Sequence, residues 1–127
     1  MRYRNGMKLT DETQAGTNFI RAYEPGQIRI GERAVRGNCI VTADQVIEWS
    51  AQSIAALTPA DLEPIIALAP EIVILGSGET QQFPEASLLA AVLSRGIGCE
   101  VMNTGAACRT YNVLVSEDRK VAAALVL

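Results

Sequence analysis

The chain has 127 residues, of which 49% are hydrophobic and 20% are charged. This length and composition suit one globular domain of ordinary size and exclude a chain that is disordered throughout. The 14 acidic and 11 basic residues are interspersed and give a net charge of −3, which lends no support to nucleic-acid binding.

The residue types available for chemistry are few. Histidine is absent, which excludes a Ser-His-Asp triad and a Cys-His dyad and removes the commonest metal ligand. Cys39, Cys99 and Cys108 form no C-x-x-C motif, and so sparse a set argues against a disulfide framework. We therefore expect a protein of a reducing compartment, the cytoplasm, without a metal or a cofactor.

The N-terminal residues predict neither a signal peptide nor a membrane anchor. Residues 1–17 contain Arg2, Arg4 and Lys8 but no apolar stretch, and no run of about 18 apolar residues occurs anywhere in the chain. The sequence predicts a polar, disordered tail over residues 1–17 and a single domain over residues 18–127.

Residues 19–50 have the pattern of antiparallel strands. "FIRAY" precedes a turn at Glu24–Gly26, and "QIRIGERAV" alternates as one strand with Ile28 and Ile30 on the same side. A turn at Gly37-Asn38 leads into "CIVT" and "QVIEW". This pattern predicts one meander, split near Ala43-Asp44, with Trp49 as a half-buried anchor at its end.

The second half alternates strands and helices. The predicted elements are a helix capped by Thr58 and stopped by Pro70, a doubly buried parallel strand at Ile72–Leu75, a helix from Pro84 to a C-terminal Gly96, the strand "CEVM", a helix capped by Asn103-Thr104, and the last strand "VAAALVL". The expected fold is α/β: a single three-layer domain with a mixed central sheet, helices packed on it and an N-terminal antiparallel strand region.

Two loops follow the carboxyl ends of predicted strands, at residues 76–79 and 103–105. Ligands bind at this edge in open α/β sheets, so the two loops would line one crevice. Gly76 and Gly78 either make a tight turn or expose backbone N–H groups to a ligand, and Gly105 would leave a helix start open to anions. The motif is incomplete, because position 81 is Gln where G-x-G-x-x-G needs glycine.

The helix after Asn103 divides its residues between two faces at about 100° per residue. Gly105, Arg109 and Asn112 share one face, whereas Ala107, Tyr111 and Leu114 point to the core with Cys108 and Val115 at the margin. Arg109 lies near the N-terminus of the helix, where a cation gains nothing from the helix dipole. An anionic partner, either a ligand or Glu79, would explain its presence there. The alternative is an ordinary structural salt bridge or a solvated side chain. Cys108 is either a reactive thiolate or a small buried apolar residue. Ser77 and Glu79 could act as nucleophile and base, but the sequence has no G-x-S-x-G motif to support that role.

The segments "LGSGETQQFP", "GIGCEVMNTGAACRTYNVL" and "RKVAAAL" resemble a domain-of-unknown-function family of small bacterial and archaeal proteins. Its mitochondrial relatives are assembly factors of respiratory complex I (NADH dehydrogenase), which act by binding other assembly proteins. The resemblance runs from about Phe19 to the C-terminus and implies a three-layer α/β fold. It is carried by Gly76, Gly78, Phe83, Pro84, Met102, Thr104, Ala106, Ala107, Arg109, Thr110, Tyr111 and Asn112.

The functional expectation is a non-enzymatic binding or assembly module whose partner is another protein, with Arg109 and Tyr111 as contacts. The alternative is a site for an anionic small molecule, or an enzyme, at Gly76–Glu79 and Thr104–Arg109. Nucleic acid is not an expected partner, and the oligomeric state is left open. The candidate contact residues are Gly76, Ser77, Gly78, Glu79, Thr104, Gly105, Arg109, Tyr111 and Asn112.

Overall fold

A computed structural model describes residues 16–127, so nearly all of the tail predicted over residues 1–17 lies outside the described residues. None of the helices in residues 16–127 has the length and apolarity that a bilayer span requires. The elements are β1 (Ile20–Glu24), β2 (Gln27–Ile30), β3 (Arg33–Arg36), β4 (Cys39–Val41), β5 (Val46–Glu48), α1 (Pro59–Ala67), β6 (Ile72–Ser77), α2 (Ala86–Leu93), β7 (Gly98–Met102), α3 (Thr104–Ser116) and β8 (Val121–Val126).

A mixed five-stranded sheet in the order β5-β4-β8-β6-β7 forms the middle layer, as the sequence predicts. Strand β6 runs parallel to both β7 and β8, whereas β4 is antiparallel to β8 and to β5. Val73, Ile74 and Leu75 are each at most 1% exposed, because apolar layers cover both faces of β6.

The two faces of this sheet carry separate apolar cores. Helices α1 and α2 pack on one face, where Leu62 and Val92 meet Ala122 and Ala124 of β8. Helix α3 and the small sheet β1-β2-β3 pack on the other face, where Tyr111 and Ile28 join Ala123. The alanines of β8 let both layers approach closely, and the three-layer α/β prediction is confirmed.

The N-terminal region is antiparallel, but two details of its prediction are wrong. The stretch expected as one strand is the hairpin β2–β3, which turns at Gly31 with a φ of +60°. The expected single meander ends at β3, because the chain crosses at Gly37 (φ +121°) and Asn38 to the five-stranded sheet. The Asn38 side chain fixes this crossing: it donates to the Ala51 carbonyl at 2.8 Å and accepts from the Leu127 N–H at 2.8 Å.

Local signals locate the helices closely. Thr58 and Asp61 form the predicted capping box at the start of α1, and Trp49 is buried with its indole N–H donating to the Asp61 carbonyl at 2.9 Å. Helix α2 begins at Ala86, two residues after the predicted Pro84, because Glu85 is its N-cap. Gly96 follows α2 with the expected positive φ of +77°.

Candidate functional site

Thr104 closes the space between the two loops that the sequence places at the carboxyl edge of the sheet. Its backbone N–H donates to the Gly78 carbonyl at 2.8 Å, and its hydroxyl oxygen accepts from the Gly78 N–H at 2.8 Å. The same hydroxyl donates to the Val126 carbonyl at 2.6 Å, and the side chain is fully buried. The expected crevice between the loops is therefore bridged by hydrogen bonds, and Thr104 joins β6, α3 and β8.

Gly76 is a glycine because other atoms occupy the place of a side chain. A Cβ at this position would lie 2.9 Å from Leu125 Cδ2 and 3.0 Å from Thr104 Oγ1. Gly78 has a φ of +94° with open space around it, so its requirement is conformational. The positive φ of Gly78 supports the tight-turn interpretation for that residue, whereas Gly76 lies within β6 and is required for close packing.

Ser77 holds the following segment, which we call the β6–α2 loop (residues 78–85). Its hydroxyl contacts the Thr80 carbonyl at 2.7 Å and accepts from the Gln82 N–H at 3.1 Å, and its side chain is buried. The Gln81 amide donates to the Val101 carbonyl at 3.0 Å, which ties the loop to β7. A hydroxyl so engaged is a poor nucleophile, and its arrangement accounts for a fixed loop.

Phe83 stands on this fixed loop with 60% of its surface exposed. Large exposed aromatic side chains on ordered backbone are typical of protein interfaces. Sequence reasoning used Phe83 as part of a resemblance but did not select it as a contact residue. The available signal was a Phe that lies between Gln82 and Pro84, in the loop that follows a buried strand.

Helix α3 divides its faces as the sequence predicts. Ala107, Cys108, Tyr111 and Val115 are buried, whereas Leu114, expected among the core residues, is half-buried. Gly105, Arg109 and Asn112 line one cavity of about 160 Å³ together with Tyr23 on β1. Gly76–Glu79 do not line this cavity, so the candidate residues form two adjoining regions.

Tyr111 and Asn112 fasten the N-terminal sheet to α3. The Tyr111 hydroxyl donates to the Asn18 carbonyl at 2.8 Å, and the side chain has no exposed surface. The Asn112 amide pairs with the backbone of Ile20, accepting from its N–H at 2.9 Å and donating to its carbonyl at 2.8 Å. Tyr111 therefore has no surface to offer as a contact residue, since its hydroxyl and its ring are both used in the fold.

Arg109 is exposed and folds back over the start of α3. Its Nη1 atom lies 3.6 Å from the place where a Cβ on Gly105 would stand. Within residues 16–127 no carboxylate lies within 4.0 Å of its guanidinium, so the Glu79 salt bridge considered from the sequence is not formed. Within residues 16–127 the Arg109 guanidinium therefore forms no salt bridge, and it is available to an anionic group of another molecule.

The Tyr23 hydroxyl is buried beside this region without a hydrogen-bond partner among the described residues. Burial raises the pKa of the Tyr23 hydroxyl, and the Glu79 carboxylate and the Cys108 thiol add to the rise. A buried hydroxyl without a partner is uncommon in folded proteins and marks a place where water or a ligand could bind. No feature of the sequence indicates this, because Tyr23 fits the alternation of an ordinary strand residue.

Cys108 does not have the properties of a reactive thiolate. It is 5% exposed, and burial raises the pKa of its thiol to about 12, with Cys39 adding to the rise and Arg109 opposing it. The thiol is therefore protonated at neutral pH and packs as a small apolar residue.

Comparison with known proteins identifies relatives of this chain in sequence and in structure. The chain is 35% identical over 120 residues to NADH dehydrogenase (ubiquinone) 1 alpha subcomplex assembly factor 3 of Danio rerio, covering 93% of this chain and 68% of that protein. It is 29% identical over 122 residues to the 13 kDa major membrane protein of Francisella tularensis, covering 94% and 99%. A crystal structure from Bordetella parapertussis superposes with a TM-score of 0.81 at 31% identity, covering 90% of this chain and 98% of that one.

These likenesses agree with a match to one family model. The model for proteins of unknown function, DUF498/DUF598, matches residues 20–126. That range contains every strand and helix described above. The chain therefore belongs to the DUF498/DUF598 family.

Proposed function

We propose that this chain is a non-enzymatic assembly module that binds another protein through one surface, the loop edge. We define the loop edge by Glu79, Phe83, Gly105 and Arg109. The name of the Danio rerio relative, an assembly factor, supports a protein partner. The observation that carries the proposal is Phe83, which is 60% exposed on a loop that Ser77 hydrogen bonds hold in place.

The loop edge has the ingredients of a binding hot spot. Phe83 offers apolar surface and Arg109 offers several N–H donors, and both residue types suit a binding hot spot. A loop that is already fixed loses little conformational entropy on binding. Glu79 and Arg109 are both exposed and unpaired with each other, so a partner can meet either charge. The buried candidates Ser77, Thr104 and Tyr111 act in this proposal by holding that surface in shape.

The cell compartment and the domain boundary belong to the same proposal. Cys39, Cys99 and Cys108 are free thiols, which supports a reducing compartment, the cytoplasm. Residues 18–127 would act as one domain, because Asn18 hydrogen bonds tie the start of β1 to the 42–45 turn.

Affinity purification of the tagged chain from extract of its own cells tests the proposal. The expected result is a stoichiometric partner that is lost with Phe83→Ala and with Arg109→Glu. Val113→Ala is the matched control, since Val113 is 54% exposed on α3 and lies outside the loop edge. Recovery of the same partner by all the variants would refute the loop edge, and no partner with the wild-type chain would refute the binding role.

A second candidate function is binding of a small anion in the cavity beside Arg109. It is favoured by the unpartnered Tyr23 hydroxyl, a donor next to that cavity. The volume of about 160 Å³ suits a group the size of phosphate or a small carboxylate. A thermal-shift screen with phosphate and small carboxylates should then give stabilisation that disappears in Arg109→Ala, and a screen without any stabilisation would exclude it.

A further inference from the structure

Charge is distributed unevenly along this chain. Residues 16–36, which contain β1, β2 and β3, carry four arginines and two glutamates, a net charge of +2. Residues 37–127 carry four basic and ten acidic residues, a net charge of −6. The small N-terminal sheet is thus a basic element on an acidic protein, a contrast that the total of −3 conceals.

Strand register places two of these arginines on the outer face of the small sheet. Ile28 and Ile30 of β2 are 0% and 8% exposed and point into the core, so Arg29 between them points outward. Arg36 pairs with Gln27, one step from the inward Ile28–Val35 pair, and therefore shares the outer face with Arg29.

The neighbours of Arg29 on this face are small. Its cross-strand partners are Ala22 on β1 and Ala34 on β3. Glu24 is the acidic residue on the same face, opposite Gln27. The outer face therefore carries the exposed Arg36 and the half-buried Arg29, whose guanidinium donates to the Glu32 carbonyl at 3.0 Å, beside small side chains and no large apolar one.

The other two arginines of the small sheet lie at its ends. Arg21 is exposed and lies 3.4 Å from Glu32, a pair in which the side chains are 60% and 95% exposed. Such a pair is screened by water and leaves the guanidinium able to exchange partners. Arg33 is exposed at the start of β3, but it pairs with the inward-pointing Ile30 and therefore belongs to the opposite face. We name the outer surface of Arg29 and Arg36, with Arg21 at its edge, the arginine face.

We propose that the arginine face binds the surface of a membrane that contains anionic lipids. An array of guanidinium groups without an apolar anchor lacks the hot spot that a protein partner requires. It also lacks the aromatic side chains on which bases of single-stranded nucleic acid stack. Binding to a bilayer surface requires neither an apolar anchor nor stacking aromatic side chains, because anionic headgroups attract basic residues through a diffuse negative potential.

Arg21 lines the same cavity as Gly105 and Arg109 of the loop edge, whereas Arg29 and Arg36 do not. The test therefore rests on Arg29 and Arg36, and the two proposals can fail independently. Binding to the bilayer would direct the basic sheet toward the headgroups and the acidic remainder of the chain away from them. Such binding is electrostatic and reversible, and we expect it to weaken steeply with salt, since charges are screened within about 3 Å at 1 M ionic strength.

Sedimentation of the purified full chain with vesicles tests the proposal without a partner protein. Vesicles of mixed phosphatidylcholine and phosphatidylglycerol should bind the chain at low salt, whereas pure phosphatidylcholine vesicles should not. Arg29→Gln with Arg36→Gln should lower the partition coefficient roughly 30-fold, from the usual contribution of each basic residue near an anionic surface. Arg95→Gln with Lys120→Gln, both exposed and outside the arginine face, removes the same charge and should have little effect.

Each alternative outcome contradicts the proposal. Equal binding to both kinds of vesicle, or to neither, would overturn it, and so would an equal loss with the two double variants. Retention by single-stranded RNA or by polyglutamate without retention by anionic vesicles would assign the arginine face to another class of partner. The salt dependence of the wild-type chain gives a second reading that does not depend on folding of the variants.

Discussion

Replacing Thr104 by valine isolates the hydrogen bonds that bridge β6, α3 and β8. Valine keeps the shape of threonine but removes the hydroxyl. The Gly78 N–H, at 2.8 Å, and the Val126 carbonyl, at 2.6 Å, then both lose the hydroxyl of the fully buried Thr104, and both residues are themselves half-buried. A buried polar group left without a partner costs about 1–3 kcal/mol, which gives about 2–6 kcal/mol for two groups. Because Gly78 and Val126 are only half-buried, we expect the lower part of that range, roughly 2–4 kcal/mol.

Urea unfolding followed by circular dichroism measures this loss directly. Thr104→Ser is the matched control, since it keeps the hydroxyl and removes one buried methyl group, at a cost of about 1 kcal/mol. The valine variant should therefore be less stable than the serine variant, although valine fills the space better. Equal stability of the two variants, or a more stable valine variant, would refute the bridging role of the hydroxyl.

Three further changes test other parts of the fold. Gly76→Ala should cost about 1–3 kcal/mol of unfolding free energy because its Cβ meets packed atoms, whereas Gly98→Ala, with its nearest contact at 3.4 Å, should cost about 1 kcal/mol or less; equal losses would contradict the steric argument. Tyr111→Phe should lose about 1 kcal/mol with the hydrogen bond to Asn18, and an unchanged urea midpoint would show that this bond contributes nothing. The folded pKa of Cys108 is raised to about 12 from an unfolded value near 8.5, so its contribution to stability is present below about pH 8.5 and is lost as pH rises toward 12; Cys108→Ala should flatten this decline, and an identical decline in the variant would contradict it.

Local patterns account for the parts of the fold that the sequence predicts well. Thr58, Pro59 and Asp61 locate the start of α1 because a capping box is made within four residues. The continuous apolar run at Ile72–Leu75 indicates β6 because burial on both faces leaves no place for polar residues. Such signals need no knowledge of distant parts of the chain.

Long-range contacts account for what sequence reasoning missed. Asn112 lines a cavity with Arg109 as the helix face predicts, but the sequence did not indicate that its amide pairs with Ile20, 92 positions away. Thr104 was expected to line a crevice, yet its hydroxyl bonds to residues 26 and 22 positions away. From sequence alone, a polar side chain at a sheet edge can equally well contact a ligand or hydrogen-bond to the backbone. Only the tertiary structure distinguishes these two roles.

The net charge of the whole chain does not reveal the basic small sheet. The mixture of acids and bases within short windows gave no sign of a basic surface. Alternation along the sequence places Arg29 opposite Ile28 and Ile30, but the pairing of β2 with β3 was needed to bring Arg36 onto the same face. The absence of nucleic-acid partners, inferred from the total charge, stays a prediction.

The loop edge is the proposed binding surface for a protein partner. Hydrogen exchange of the purified chain, alone and in complex with the partner recovered by affinity purification, tests this most directly. We predict slower exchange of the backbone N–H groups of residues 78–83 and 105–109 in the complex, with the arginine-bearing strands β2 and β3 unchanged. Protection confined to other parts of the chain, with residues 78–83 exchanging as in the free protein, would contradict the central claim.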